Sequence, residues 1–300
     1  MKRPFTPYIA CLAWFIATAG GFSADDMLLG QSIRGFRYPD YDSQGQLKME
    51  ISGDKAQILP ENMIKITNLQ MTFYEEGKAA MHISTPLCFY DRVKNTAVST
   101  AEVCMTRTEI NITGTGFDWN EKEGRIRIKN NARVILQKTD RNSDLENDRA
   151  DPQASRTTGS SFRAGDTNDT VITSTRLTFD QKKMIAVFEG NVVATDPALK
   201  IESERLTVSF SNAKKVELIE AEGNVVITRD TVHATAKTAA YAIEDGKITL
   251  FGKPLVTRQK DSLTAETIVL WRNSSRIICE PNANLTIYSD QEMHSPLAKD

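Results

Sequence analysis

Glu189-Gly-Asn-Val-Val-Ala-Thr195 and Glu222-Gly-Asn-Val-Val-Ile-Thr228 agree at six of seven positions, and a looser copy, Gly252-Lys-Pro-Leu-Val-Thr257, follows them. Around these copies runs a longer template: an aliphatic residue, a small residue two places on, then an alternating stretch that ends in an aromatic or aliphatic pair. It reads Ile83-Ser-Thr-Pro-Leu-Cys-Phe-Tyr-Asp91, Ile112-Thr-Gly-Thr-Gly-Phe-Asp-Trp119 and Ile172-Thr-Ser-Thr-Arg-Leu-Thr-Phe-Asp180. It continues as Ile201-Glu-Ser-Glu-Arg-Leu-Thr-Val-Ser209, Val232-His-Ala-Thr-Ala236 and Leu263-Thr-Ala-Glu-Thr-Ile-Val-Leu-Trp271, with a weaker opening copy at Ile51-Ser-Gly-Asp-Lys-Ala56. The starts at 51, 83, 112, 172, 201, 232 and 263 give intervals of 32, 29, 60, 29, 31 and 31. A period near 30 residues, with one unit replaced, marks a repeat architecture.

The physics of one unit is that of short strands. Leu206, Val208 and Phe210 alternate with Thr207 and Ser209, and Leu177/Phe179 and Ile268/Leu270 do the same. A period of two makes a half-buried strand. Turn formers separate these runs: Asp180-Gln-Lys-Lys, Ser211-Asn-Ala-Lys, Glu244-Asp-Gly-Lys and Asn273-Ser-Ser. Glu-Gly-Asn reads as a tight corner between strands, because glycine takes backbone angles denied to other residues. A single unit cannot bury its apolar face, whereas stacked units form a continuous core. The reading is all-β, as a β-solenoid or an elongated rolled sheet. The replaced unit falls at Thr139–Asn168, where only Leu145, Ala150, Ala154, Phe162 and Ala164 are apolar, and this stretch reads as a flexible polar linker.

Composition sets outer bounds. The 37 Lys+Arg against 39 Asp+Glu argue against a basic nucleic-acid binder, and 40% apolar residues fit a globular chain. Lys2 and Arg3 precede an uncharged stretch from Phe5 to Phe22 and then Ser23-Ala24, the pattern of a secretory signal peptide, with an uncleaved anchor as the competing reading. Either way the body is exported, and beyond the leader no apolar run is long enough to span a bilayer. The chain divides into a leader of residues 1–24, a front β block of 30–138, a linker of 139–169, a back β block of 170–288 and a polar tail of 289–300. Cys88, Cys104 and Cys279 allow one disulfide, Cys88–Cys104, or serve as three small apolar fillers, the preferred reading. His82, His233 and His294 stand singly, so neither a metal site nor a cofactor is expected.

The opening run Phe36-Arg-Tyr-Pro-Asp-Tyr-Asp-Ser-Gln-Gly-Gln-Leu-Lys-Met-Glu-Ile-Ser-Gly-Asp-Lys-Ala56 resembles the start of the soluble region of LptC-type lipopolysaccharide export proteins. The back block, with Phe179-Asp180 and the two Glu-Gly-Asn-Val corners, looks like the OstA-like, LptA-type domain of the same pathway. The resemblance covers about 36–136 and 170–287, and it joins in one chain two blocks that usually stand in separate proteins. It implies an elongated β-jellyroll of V-shaped profile, a periplasmic location and a lipopolysaccharide cargo whose lipid A acyl chains lie inside the roll. It also implies partners among the other export components, joined through edge strands, and head-to-tail self-association.

On that reading the lipid-binding candidates are the expected interior residues of the back block: Leu177, Phe179, Val187, Leu206, Val208, Phe210, Leu218, Val225, Ile227, Ile248, Leu250, Ile268 and Leu270. The alternative is a structural β-solenoid scaffold, in which the same residues are plain core. Arg205, Lys214, Lys215, Arg229, Lys237 and Lys247 read as a solvated outer face, or a few of them as phosphate contacts at a groove mouth. An enzyme is not expected. Asp91, Asp118 and Asp180 each follow an aromatic residue or lie beside one and read as turn openers rather than paired glycosidase carboxylates. No Gly-x-Ser-x-Gly elbow, P-loop or dinucleotide fingerprint occurs.

Overall fold

The computed structural model describes residues 30–137, 169–211, 215–272, 274 and 276–288. The expected leader, most of the linker and the polar tail lie outside the described residues. The alternating runs form strands β1 (Ser32–Tyr41), β2 (Leu47–Ile58), β3 (Met63–Glu75), β4 (Lys78–Asp91), β5 (Thr96–Arg107), β6 (Ile110–Asn120) and β7 (Arg125–Leu136). There follow β8 (Thr170–Ser174), β9 (Arg176–Asp180), β10 (Ile185–Thr195), β11 (Lys200–Phe210), β12 (Val216–Arg229) and β13 (Val232–Ala242). The last six are β14 (Lys247–Phe251), β15 (Leu255–Arg258), β16 (Asp261–Thr264), β17 (Thr267–Trp271), β18 (Ile277–Glu280) and β19 (Asn284–Thr286). All join one antiparallel 19-stranded sheet. Among the described residues no helix is long and apolar enough to cross a membrane.

Four rungs of this sheet are broken in two. β8 and β9 lie end to end along β7 and β10, and β14 and β15 along β13. β16 and β17 follow on β15 and β14, and β18 and β19 on β17 and β16. The sheet therefore runs straight from the front block into the back one: Val134 of β7 pairs with Ile172 of β8, and Ile126 with Phe179 of β9.

Each rung is bent at mid-length. In β10 and β12 the bend sits at Gly190-Asn191 and Gly223-Asn224, where both residues of each pair take positive φ (79° and 48°, 79° and 47°). The register slips there, between Glu189 and Val192 and between Glu222 and Val225. This corrects the sequence reading: Glu-Gly-Asn is a β-bulge inside a single long strand, not a corner separating two. The extra residues turn the strand while the hydrogen-bond ladder resumes on both sides. Glycine is required at 223 for a second reason, since a Cβ there would stand 2.8 Å from the Cβ of Glu204. Glu204 in turn accepts a 2.7 Å bond from the Asn224 side-chain amide.

Bending folds the sheet over itself into two limbs, which gives the V-shaped section of the roll. Turns at 42–46, 76–77, 196–199 and 230–231 form the free margin of one limb, and turns at 92–95, 121–124, 181–184 and 243–246 that of the other. The margins meet in the front block. Phe73, on the first limb, packs edge-on against Trp119 of the second with ring centroids 5.7 Å apart. Tyr38 lies against Tyr90 at 6.4 Å, and Lys48 forms an ion pair with Glu121.

The approximately 30-residue period now has a geometric meaning: it is one hairpin. On the first limb a single ladder of register partners faces inward, one from each rung. Its front part is Tyr38, Ile51, Met71, Ile83, Met105, Ile112 and Val134. It continues as Ile172, Ala194, Ile201, Ile227, Ala234, Val256, Leu263 and Leu285. Six of the seven template starts (51, 83, 112, 172, 201 and 263) fall on this ladder. Val232 is the exception, for the ladder takes Ala234 two residues later.

Gly223→Ala is expected to cost about 1–2 kcal/mol of unfolding free energy, because it places a Cβ at a left-handed backbone position against Glu204. Asn224→Gly should stay within about 0.5 kcal/mol of the parent. Urea unfolding midpoints of the two variants would check the contrast.

Candidate functional site

The apolar interior is the candidate site, and on the second limb it is built from two more ladders. The one nearer the margin runs Tyr90, Ala97, Trp119, Ile126, Phe179, Ala186, Val208, Ile219, Tyr241, Ile248, Leu270 and Ile277. The one nearer the bend runs Phe117, Ile128, Leu177, Phe188, Leu206, Ala221, Ala239, Leu250, Ile268 and Cys279. Of the candidates, Leu177, Leu206, Leu250 and Ile268 stand on the inner ladder, and Phe179, Val208, Ile248 and Leu270 on the marginal one. Phe210 packs beside them with its ring centroid 6.3 Å from that of Phe179. Val225 and Ile227 stand opposite, on the first limb.

Val187 and Leu218 do not belong to this interior. Val187 lies between the inward Ala186 and Phe188, and its partners are Thr178 and Thr207. Leu218 lies beside the inward Ile219 and pairs with Ser209 and Ala242. Both occupy the outer face. The candidate set lacks most of the facing wall, Ile201, Val256 and Leu263, and Tyr241 of the marginal ladder. The signal for the first limb was present in the sequence, since Ile201 and Leu263 are template starts.

The two blocks differ in how full the interior is. In the front block Ile51, Met71, Ile83, Phe117 and Ile128 are at most 1% exposed, and Tyr90 and Trp119 close the margin. In the back block the equivalent positions Ile201, Ile227, Val256, Leu263, Ile219, Ile248 and Leu270 are only half-buried. Alanines replace large side chains along the back ladders at 186, 194, 221, 234 and 239. Towards the end of the chain exposure rises to 54% at Ile277 and 60% at Leu285, with Ile287 and Tyr288 also exposed. The interior thus opens as an apolar trough towards the C-terminal rungs. A contiguous exposed apolar surface of this kind marks a binding face more often than chance packing.

Polar groups around the trough sit on its rim. The inward series of β12 and of β15 end at Arg229 and Arg258, both exposed, with Val232 between them in register. Arg205 pairs with Glu189 at 2.9 Å and belongs to the outer face. At the other margin Arg272 donates to the Tyr241 hydroxyl at 3.5 Å, and this bond, aided by Asp196 across the opening, raises its pKa.

Turn chemistry accounts for two of the three aspartates. Asp91 Oδ1 accepts from the backbone N–H of Lys94 (2.9 Å) and Val93 (3.0 Å), which holds its carboxyl below the usual range. Asp180 Oδ1 accepts from Lys183 N–H at 3.0 Å. Asp118 departs from the expectation: its strand runs two residues further, Asn120 caps the turn, and Asp118 pairs with Lys129 at 2.8 Å. Among the described residues no group of His, Cys, Asp or Glu is placed to hold a metal ion.

Cys88, Cys104 and Cys279 are free. Burial pushes the Cys88 thiol up to about 12 and raises those of Cys104 and Cys279. A concavity of about 750 Å³ lies on the front block, where Gln70, Ser84, Cys104, Thr113 and Arg133 stand in adjacent register. Polar residues such as Asn68, Gln70, Ser84 and Thr113 line it beside Leu69 and Val103, and none of the back-block trough residues takes part.

Two family models match the chain. One, described as the LptA/(LptD N-terminal domain) LPS transport protein, matches residues 171–276. The other, described as lipopolysaccharide-assembly, LptC-related, matches residues 11–86 and 78–137. Together they take in most of the chain, one on each block. The chain matches none of the curated proteins in sequence. Among solved structures it is similar to LptH, the LptA homologous periplasmic component of the lipopolysaccharide transport device from Pseudomonas aeruginosa. That similarity has 16% identity and a TM-score of 0.38, and covers 41% of this chain and 96% of that one.

Thiol accessibility separates the packed interior from the open one. At pH 8 a maleimide should label Cys104 and Cys279 in the folded protein and leave Cys88 unmodified until urea unfolds it, because the buried thiol yields almost no thiolate. Peptide mass mapping of labelling rates would check this.

Proposed function

This chain belongs to the lipopolysaccharide-transport proteins of LptA and LptC type, and we propose that it is a periplasmic bridge whose apolar trough shields lipid A acyl chains during export to the outer membrane. A role in lipopolysaccharide transport follows from the family, whose members carry cargo rather than transform it. The shielding role rests on one observation: in the back block Ile201, Ile227, Val256 and Leu263 on the first limb and Ile219, Ile248 and Leu270 at the margin of the second are half-buried, while Leu206, Leu250 and Ile268 behind them form a packed floor. An acyl chain laid along them would bury its methylenes at about 0.8 kcal/mol each. Such a chain would also cover the inward surface of Ile227, Val256 and Leu263.

The two free edges of the sheet support an assembly role. β1 has one hydrogen-bonding side filled by β2, and β19 has one filled by β16. An unpaired strand edge is a template for another strand. In this proposal other export components add to these edges, and copies of this chain add head to tail. Leu285 and Ile287 on and beside β19 would be covered by the incoming strand. The leader carries the body across the inner membrane, cleaved or retained as an anchor.

The scaffold reading keeps one specific point in its favour, the dry packing of the front block, and that point concerns only half of the roll.

Val208→Asp puts a charge on the inward face, and is expected to weaken lipopolysaccharide binding by at least about tenfold, whereas Leu218→Asp on the outer face leaves it unchanged. Native mass spectrometry of the exported chain with purified lipopolysaccharide, on variants shown by circular dichroism to be folded, would check the contrast. Equal adducts from both variants, or none from the parent, would sink the carrier reading. Leu285→Arg is expected to reduce self-association, as read by light scattering after size separation.

A further inference from the structure

The carrier reading leaves open which part of a continuous roll holds the cargo and which chemical group of the cargo the protein grips. Packing separates the two blocks. In the front block the facing limbs are stitched across the opening by Phe73 on Trp119, by Tyr38 on Tyr90 and by the Lys48–Glu121 ion pair. Behind these closures Ile51, Met71 and Ile83 are fully buried. An acyl chain could enter there only by expelling close-packed side chains, and such interiors resist even one added methylene. In the back block the inner ladder of Leu206, Leu250 and Ile268 is packed as in the front, but Ile201, Ile227, Val256 and Leu263 opposite it and Ile219, Ile248 and Leu270 at the margin are only half-buried, and the last rungs, with Ile277 and Leu285 exposed, form an open mouth at β18 and β19.

Charge on the rim supplies the second half of the argument. Arg229 and Arg258 continue the inward ladder of Ile227 and Val256 past the apolar zone. They sit two rungs apart, a spacing of about 10 Å at the usual strand separation. Both side chains are exposed, and neither guanidinium is held in an ion pair among the described residues. Asp261, the register partner of Arg258, uses its carboxylate to accept from the Tyr288 N–H at 3.0 Å. Two unsatisfied guanidinium groups beside an apolar trough suit an anionic headgroup, for arginine binds phosphate with paired, charge-assisted hydrogen bonds.

We propose that the back block alone is the cargo site, that it is entered from the C-terminal mouth, and that it takes a phosphate-bearing acylated amphiphile with its chains along Ile201, Ile227, Val256 and Leu263 and its phosphate at Arg229 and Arg258. The front block is a sealed segment of the same sheet that carries no lipid. This rests on the carrier reading above.

The chain's own cysteines report on the site. Cys279 pairs with Ile268 on the inner ladder of the back block, Cys88 lies in the sealed interior, and Cys104 is on the outer face. The exported chain would be labelled with a maleimide in the presence of a bisphosphorylated hexa-acyl disaccharide lipid, its dephosphorylated counterpart, or inorganic phosphate, and the sites read by peptide mass. The acylated phosphate lipid should slow labelling at Cys279 by at least about tenfold, with Cys104 unchanged and Cys88 unlabelled throughout. The double variant Arg229→Gln/Arg258→Gln should bind that lipid about tenfold more weakly and the dephosphorylated lipid as the parent does.

Lipid binding in native mass spectra with Cys279 unprotected, and with slowed amide exchange in residues 47–91, would place cargo in the front and overturn this inference while the carrier reading survives. Equal binding of the phosphorylated lipid by parent and double variant would overturn the headgroup assignment. Protection of Cys279 by inorganic phosphate alone would reduce the site to a bare anion site and overturn the acyl assignment. No lipid bound by the parent would remove the carrier reading itself.

Discussion

Every rung of the sheet has to bend once, and the rest of the structure depends on that bend. A flat sheet of this many strands would leave one face of apolar side chains in water. In β10 and β12 a β-bulge with two residues in the left-handed region turns the strand without breaking its ladder, so that one strand supplies both walls of the interior. Positive φ strongly favours glycine and, next to it, asparagine. That is why the best repeated motif in the chain is Gly-Asn rather than any apolar signature. Asn68, Gly116 and Asn131 show the same backbone state in the front block without the repeated motif around them. The bend therefore belongs to the architecture, and the motif is only its most economical chemical form.

Once the limbs face each other, side-chain volume decides whether the space between them is filled. Backbone register is the same in both blocks, yet the front fills the gap with Tyr90, Phe117 and Trp119, while the back has Ala186, Ala221 and Ala239 at ladder positions. Aromatic residues reach across and meet the opposite limb; alanine cannot. Ile201, Ile227 and Val256 are left half-buried where alanines at 186, 221 and 239 interrupt the ladders of the other limb. Fullness and emptiness of the roll are set by substitutions that leave its hydrogen bonding untouched.

The repeat made the all-β roll legible, since an approximately 30-residue period carrying two alternating runs is one hairpin per unit. Ile51, Ile83, Ile112, Ile172, Ile201 and Leu263 were visible as template starts because each occupies one inward ladder, where bulk is wanted at every second rung. The phase of individual strands was harder to read. Ala186-Val187-Phe188 and Leu218-Ile219 are consecutive apolar residues, so alternation does not say which of them faces in, and Val187 and Leu218 lie on the outer face despite their apolar character. Val232 misled for a related reason: the inward position two residues later is an alanine, which carries little hydrophobic signal. Nor could the facing limb be read locally, because Phe73 meets Trp119 across the fold, between rungs that are not neighbours in the sheet.

An open apolar trough is costly to keep folded. Each 100 Å² of apolar surface left in water forgoes about 2.5 kcal/mol that a packed core would provide. A roll built only of back-type rungs would have to hold its two limbs apart with few contacts between them. Here the open rungs share a sheet with sealed ones: β7 pairs without interruption to β8 and β9, and the inward ladders pass from one block to the other at Val134–Ile172 and Ile128–Leu177. The sealed block fixes the bend, the register and the spacing of the limbs, and antiparallel pairing transmits them rung by rung into the open block. Stability and cargo capacity, which compete within a single interior, are thereby divided along the length of one sheet.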